Sequence, residues 1–462
     1  MQVYGWTLHL ARPDDLEQAG FGHLVHVPFI RDSALGYAET PNRFLIDLAL
    51  GVWDARRRGE RRVQSPPPPS QQTLLSFAYW LTNALEWADV RGIDLMQCDY
   101  ASVLIRRYQY EMQQGIWSAD GRPLKAATIN ARVGVALNYQ QWGVDKGLRE
   151  PVLVPTVTTT YQAHSYKNSR SHETKTVEAR QGKLRVTPST LAFPAAADIE
   201  DWRKAIHLHQ TRGRTEGLLI DLILDSAIRR EEASSWRVDT LPLDRRNWQI
   251  INSDQPPEHQ SVLVTLMYGT KGKEHGRDHG DKIGPEGKIK LPLLLAERLD
   301  EYRQKIRPMA LAIAVRRGRS VAQQQRIRDD AVHLFLNPET GKRYTGKQIY
   351  SVWTSVKRPP HWSPHLARHW WACCYLERRM RDHAELMKKI LELPGLTHSS
   401  PLLLGLKDTA VSIIQLEITP QLRHASTGTT ETYLEWLFSR NRLPYQPRVI
   451  WGDEEEDEEG EA

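Results

Sequence analysis

Four consecutive prolines at 66–69, set between Ser65 and Ser70, restrict the fold of this chain more than any other feature. Each proline fixes φ near about −65° and removes a backbone donor, so neither a helix nor a sheet interior can pass through the run. A stiff polyproline II spacer is expected there, dividing residues 1–65 from the rest. Before it lies Arg56-Arg57-Arg58-Gly59-Glu60-Arg61-Arg62, after an expected helix over 44–53. Such a basic cluster can hold a phosphate backbone, and it is also the composition of a plain solvated face.

After the prolines, Leu74, Phe77, Ala78, Leu81, Ala84 and Leu85 recur at the spacing of an amphipathic helix. A second helix is expected over 100–113. A third is expected from Thr128 as N-cap, with Ile129, Val133, Ala136 and Leu137 on one face. Residues 70–150 therefore read as a small helical bundle. Residues 151–186 are polar and lack a helical period, so they read as a linker with some strand. A second globular region begins near Thr187-Pro188. It has an expected helix over 217–228, strands over 261–268 and 288–291, and several helices from Leu295 onward.

With 462 residues the chain has room for two to four domains. Its 40% hydrophobic and 26% charged content excludes a wholly disordered chain. No apolar run approaches the roughly 18–20 residues of a membrane span. The N-terminus lacks a basic stretch followed by an apolar one, so no signal peptide is expected. Cys98, Cys373 and Cys374 are too few for a disulfide framework or a four-thiolate zinc site. These features point to a soluble, cytoplasmic protein without a membrane partner. The formal charge of +6 conceals an asymmetry: residues 453–462 carry eight acids and no base, so residues 1–452 carry +14. A basic body fits a polyanionic partner such as nucleic acid, and it also fits an ordinary charged surface.

The second region holds the residues suited to a phosphodiester. Ser226-Ala227-Ile228-Arg229-Arg230-Glu231-Glu232 ends an apolar helical stretch, and Tyr268-Gly269-Thr270-Lys271-Gly272-Lys273 leaves a strand into a glycine-rich loop. His365-Leu366-Ala367-Arg368-His369 follows a proline. Finally, His424 precedes Tyr433 by nine residues across a Ser/Thr-rich segment. This order resembles the tyrosine recombinase (phage integrase) family. That family is marked by an arginine followed three residues later by an acid, a hairpin lysine, a His-x-x-Arg box, and a histidine nine residues before a tyrosine. Any one mark is weak, and the ordered set is specific. The resemblance covers about 187–440. The bundle is similar to the family's core-binding domain without a sharp motif, and 1–65 and the tail fall outside.

The resemblance implies a mainly α fold with a small β-sheet. It divides into an N-terminal extension (1–65, an arm or accessory DNA-binding segment), a helical, SAM-like core-binding domain (70–150), a linker (151–186), an α+β catalytic domain (187–440) and a C-terminal segment with the acidic tail (441–462). It implies Arg229, Lys271, His365, Arg368, His424 and the nucleophile Tyr433 as catalytic residues, with no cofactor and no metal. Two arginines can grip the nonbridging oxygens of one phosphate and favour its charge-rich transition state. A lysine can protonate the departing 5′ oxygen. The tyrosine forms a reversible 3′-phosphotyrosyl link. His365 and His424 can position the phosphate and assist proton movement. The expected partner is double-stranded DNA, held in a C-shaped clamp, with two protomers on each core site and a homotetramer in the synapse. The free protein would be a monomer or dimer, and accessory DNA-bending or directionality proteins fit the same scheme.

Alternatives stay open within this reading. Arg230 competes with Arg229 and Lys273 with Lys271. Arg229 and Glu232 also suit a surface ion pair, His365 a core histidine, and Tyr433 a core position before Trp436 and Leu437. Glu274, His275, Asp278, His279 and Asp281 share a loop that suits a solvated hairpin tip better than a metal site. His207 and His209 are expected on different helix faces without an acidic partner, and Cys373-Cys374 in a core. Segments 272–287, 316–328 and 381–412 read as insertions, and Arg423 stands where the family usually has glycine. The function implied is site-specific recombination by the integrase of a mobile element. The alternatives are a type IB topoisomerase-like enzyme and a DNA-binding protein of this fold without catalysis.

Overall fold

The computed structural model describes residues 5–53, 69–164, 172–186, 191–272, 274–383, 388–389, 392, 400–423 and 428–444. The basic cluster at 56–62, prolines 66–68, Thr187-Pro188, Lys273, His424 and the acidic tail lie outside them. The chain is mainly helical with small antiparallel sheets. It divides into two compact units, one within Met1–Pro188 and one within Ser189–Arg448.

In the first unit, the Ser70 hydroxyl accepts from the Thr73 amide at 3.2 Å and caps the Gln71–Val90 helix. Leu74, Ala78, Leu81 and Leu85 are buried on its inner face as the spacing requires. The expected second helix forms over Tyr100–Gln109 with wider π-type turns and continues as Tyr110–Gln113. The third helix, Ala126–Asp145, starts two residues before the expected cap. Lys125 is its last extended residue and receives the Ile129 amide, so Thr128 lies within the first turn. Two alanines at the start, both strong helix formers, let the helix begin early.

Residues 7–53 are not a separate extension, because they share the bundle's core. The Glu39–Ala49 helix ends before Trp53, which turns back instead of continuing it. Phe44 then meets Trp53, Tyr139 and Trp142 edge-on, with ring centroids 5.6–5.9 Å apart. Two indole N–H groups lock the arrangement: Trp53 donates to Asp145 at 2.7 Å and Trp142 to Asp47 at 2.8 Å. Fully burying a ring such as Phe44 contributes about 1.5–3 kcal/mol, enough to hold this segment in place.

The expected linker contains a regular hairpin. Thr156–His164 pairs antiparallel with His172–Arg180 in unbroken register from Thr156 opposite Arg180 to His164 opposite His172. Its threonine-rich, polar strands lack the one-sided apolar alternation by which a strand is recognised. The chain after it is tied to the bundle, with Asn130 exchanging both of its amide bonds with Leu184 at 2.9 Å.

The second unit is built around the Gly213–Ser226 helix, buried on nearly all sides, with Glu216 and Asp221 paired among its leucines and isoleucines. Against it lies a four-stranded antiparallel sheet in the order Gln249–Ile251, Ser261–Tyr268, Asp281–Pro292, Arg277–Asp278. Val262, Val264 and Leu266 alternate inward with Ile289 and Leu291 opposite. A break in register between Leu266 and Tyr268 turns the strand exit toward the helix that follows Arg229. Trp202, Trp353 and Trp362 close the other side of this core.

Two expectations change here. Asp281 is 3% exposed rather than at a solvated tip. It accepts from His333 at 2.6 Å and from Arg343, while Arg237 bonds Asp278 at 2.6 Å and stacks on Tyr268. The long hairpin is thereby pinned at both strands. His207 does have an acidic partner: its Nε2 lies 3.0 Å from Asp221, which also accepts from Arg203 at 2.6 Å. Among the described residues no helix is long and apolar enough to cross a membrane.

Candidate active site

The Gly213–Ser226 helix stops at Ala227, whose left-handed backbone (φ 54°) swings the chain out toward Arg229. Arg229 is the extended residue before the short Arg230–Ser234 helix. Its amide donates to Glu232 Oε2 at 2.6 Å and its guanidinium to Glu232 Oε1 at 3.1 Å. The offset of three thus folds arginine and acid onto each other. Arg230 points elsewhere and pairs with Glu231 at 3.3 Å.

Ser363 caps the Pro364–Met380 helix through the Leu366 amide at 3.2 Å. Helical spacing then places His365, Arg368 and His369 along one face. Arg368 is 4% exposed. It donates to the carbonyl oxygen of Ala227 and to that of Leu422, the latter at 2.8 Å. Burial, then the neighbouring Arg229, push its pKa down to about 9, with Glu232 opposing.

Leu422 ends the Thr419–Leu422 turn, and Arg423 follows it with φ 53°. Glycine adopts that left-handed geometry almost without cost, whereas a residue with a side chain does so at about 1–2 kcal/mol. Arg423 bonds Glu232 directly. Gly287 lies against the aliphatic arm of Arg423, where a Cβ would collide with it. Gln421 stitches the surroundings together by donating to the Ser226 carbonyl at 2.9 Å and accepting from the Lys290 amide at 2.8 Å.

Three guanidinium groups therefore surround one fully buried carboxylate. Burial would raise the Glu232 pKa, but Arg423, Arg229 and Arg368 together hold it below the usual carboxylate range. The cluster keeps two formal positive charges in excess. The Arg229 and Arg423 side chains remain 18% and 13% exposed, so the cluster opens at one edge.

Tyr433 lies in the Gly428–Arg440 helix and is 1% exposed. Its hydroxyl is 3.1 Å from His369 Nδ1, and His369 Nε2 is 3.1 Å from His365 Nε2. His365 is exposed. Tyr433 is also near enough to Arg368 to act on its charge. Arg229, Arg368, His365 and Tyr433 are thus brought into one neighbourhood. Lys271 is exposed on the bend after the Ser261–Tyr268 strand. That bend abuts the arginine-bearing helix at Gly269 (φ 68°), where a Cβ would sit 2.5 Å from the Glu231 carbonyl oxygen. His424 and Lys273 lie outside the described residues.

Sequence reasoning missed His369 as a site residue. Its signal was the i, i+4 spacing from His365 on a helix. It also missed Arg423 as the second partner of Glu232, a contact between distant segments that no local pattern announces. Tyr375, on the same helix as Arg368, donates to Glu417 at 2.5 Å, and burial followed by that carboxylate raises its pKa. Among the described residues no group of three His, Cys, Asp or Glu side chains could hold a metal ion. Comparison with protein-family models, curated proteins and solved structures finds no match to this chain.

Proposed function

We propose that this chain is a site-specific DNA recombinase of the tyrosine recombinase type, the integrase of a mobile element. It cuts and rejoins duplex DNA through a 3′-phosphotyrosyl link on Tyr433. The observation that carries the reading is the cluster of Arg229, Arg368 and Arg423 around Glu232, with the Tyr433 hydroxyl beside the residue next to Arg368. A phosphodiester carries one negative charge, and its pentacoordinate transition state carries two. A site with two positive charges in excess matches the second better than the first, and such differential binding accelerates reaction.

In this reading Arg229 and Arg368 hold the nonbridging oxygens and Arg423 adds a third charge. Tyr433 attacks phosphorus, and Lys271 protonates the departing 5′ oxygen. His365 and His424 assist proton movement. The bond energy stays in the phosphotyrosyl ester, so no nucleotide, metal or cofactor enters the scheme. Residues 70–150 serve as the core-binding domain and 187–440 as the catalytic domain of a cytoplasmic protein that assembles as a tetramer on two DNA sites.

The test is a nicked suicide substrate, run on a denaturing gel. The wild-type protein should form a covalent DNA adduct, and Tyr433→Phe should form none while binding DNA nearly as well. An adduct that persists in Tyr433→Phe would move the nucleophile elsewhere, and no adduct from the wild-type protein would end the reading.

A further inference from the structure

We propose that His369 is a catalytic residue that passes the Tyr433 phenolic proton to His365, along the line Tyr433 Oη, His369 Nδ1, His369 Nε2, His365 Nε2. The proposal rests on the recombinase reading and assigns a role to a residue outside the six that the family resemblance supplies. Both links are 3.1 Å, within reach of hydrogen bonds. One end of the line is a buried hydroxyl and the other an exposed imidazole, so the line runs from the reacting atom to the surface.

The two ring nitrogens of a neutral imidazole are one donor and one acceptor, which makes His369 a relay rather than a sink. Two arrangements satisfy both links. In the first, Tyr433 donates to His369 Nδ1 and His369 Nε2–H donates to His365. In the second, His365 donates to His369 Nε2 and His369 Nδ1–H donates to the tyrosine oxygen. The first suits the free phenol and the second the phosphotyrosyl ester. Burial, then the neighbouring His365 and Arg368, push the His369 pKa down to about 3, so the ring does not retain the proton as a cation. Arg368 on the same helix and Tyr433 on the facing helix also lie against it.

The step balances. The Tyr433 oxygen forms its bond to phosphorus as its proton moves to His369 Nδ1, and the proton on His369 Nε2 moves to His365, which becomes imidazolium. The bond from phosphorus to the 5′ oxygen breaks, and that oxygen takes a proton from the general acid. In rejoining, the 5′ hydroxyl attacks phosphorus and returns its proton to the general acid, and the tyrosine oxygen leaves. That oxygen recovers its proton from His369 Nδ1, while His365 returns one to Nε2. Cleavage and rejoining thus reset the relay without a ring flip.

The test measures single-turnover adduct formation by full-length protein on the suicide substrate. It compares wild type, His369→Phe and His369→Gln, each checked for folding by thermal melting and for DNA binding. Phenylalanine keeps a ring, and glutamine keeps a hydrogen-bonding group that cannot pass a proton on. If His369→Phe does not fold, His369→Gln carries the measurement. Both should slow cleavage by about 10²-fold or more, within the usual range for acid–base groups. Replacing Tyr433 by 3,5-difluorotyrosine, a more acidic phenol, should recover most of that loss in the variants and change the wild-type rate little. A variant within threefold of wild type overturns the relay. So does a slowed variant that the fluorinated phenol fails to rescue, since lost packing would give that result. If the wild-type protein forms no adduct, or Tyr433→Phe still does, the parent reading fails instead and takes the relay with it.

Discussion

Glu232 accepts from Arg229, three residues before it, and from Arg423, 191 residues after it, with both oxygens engaged. One carboxylate thereby joins two distant segments of the second unit. Removing it would leave buried cations facing one another, and losing one partner of a buried ion pair costs about 3–5 kcal/mol. Glu232→Ala should therefore lower the free energy of unfolding, read from urea denaturation, by that order. A variant as stable as wild type would show that the cluster is not a structural ion pair.

Arg423 sits in a left-handed conformation, which costs a residue with a side chain about 1–2 kcal/mol and glycine almost nothing. Arg423→Gly and Arg423→Ala both lose the bond to Glu232, but only alanine keeps the strain. Urea denaturation should find the glycine variant more stable than the alanine variant by about 1 kcal/mol. Equal stabilities would mean that the turn relaxes when the arginine is removed.

Asp281 holds the long hairpin through His333 and Arg343. Burial alone would raise its carboxyl pKa, but those partners keep it at about 2. The unfolded value is near 3.9, so the folded value is depressed. Its contribution is complete above the unfolded value and is lost as pH falls through the folded one, amounting to roughly 2 kcal/mol. Asp281→Asn should flatten the decline in stability between about pH 5 and pH 2. It should also expose the 272–287 loop to proteases at neutral pH. Acid unfolding curves of the same slope would rule out Asp281 as a contributor.

Lysine assignment is separable by chemistry. With a 5′-bridging phosphorothiolate, the leaving thiolate needs no proton. Lys271→Ala should slow cleavage of a normal phosphodiester by about 10²–10⁴-fold and matter far less on the thiolate substrate. The same contrast in Lys273→Ala, with none in Lys271→Ala, would transfer the role.

Residues 1–452 carry +14. DNA affinity should fall steeply with salt, with a log–log slope of about −0.9 per phosphate neutralised. Deleting residues 453–462 removes eight negative charges. It should raise affinity for nonspecific duplex at low ionic strength, and the gain should shrink as screening grows. Equal binding at low salt would make the tail a solvated end with no part in DNA binding.

What the sequence disclosed follows from which interactions are local. The Ser261–Tyr268 strand was legible because Val262, Val264 and Leu266 alternate, and the Gln71–Val90 helix because its apolar residues recur every three or four positions. Arg229 with Glu232 was legible as an offset of three. The hairpin at Thr156–His164 was not, because its polar strands carry no one-sided pattern. The pairing of His207 with Asp221 joins two helices, and spacing along one helix cannot reveal it. Asp281 looked solvated because its loop is rich in glycine and charge, while its partners His333 and Arg343 lie 52 and 62 residues further on.

Arg368 differs from its neighbours in what holds it. Its guanidinium is fixed by the carbonyl oxygens of Ala227 and Leu422, and every residue type carries a carbonyl oxygen. Replacing either side chain leaves both acceptors in the chain. The orientation of this cation is therefore encoded in the path of the backbone and not in the identity of its partners. Substitutions that preserve the two turns will leave it aimed as it is, and an insertion of a single residue beside either turn will disarm it.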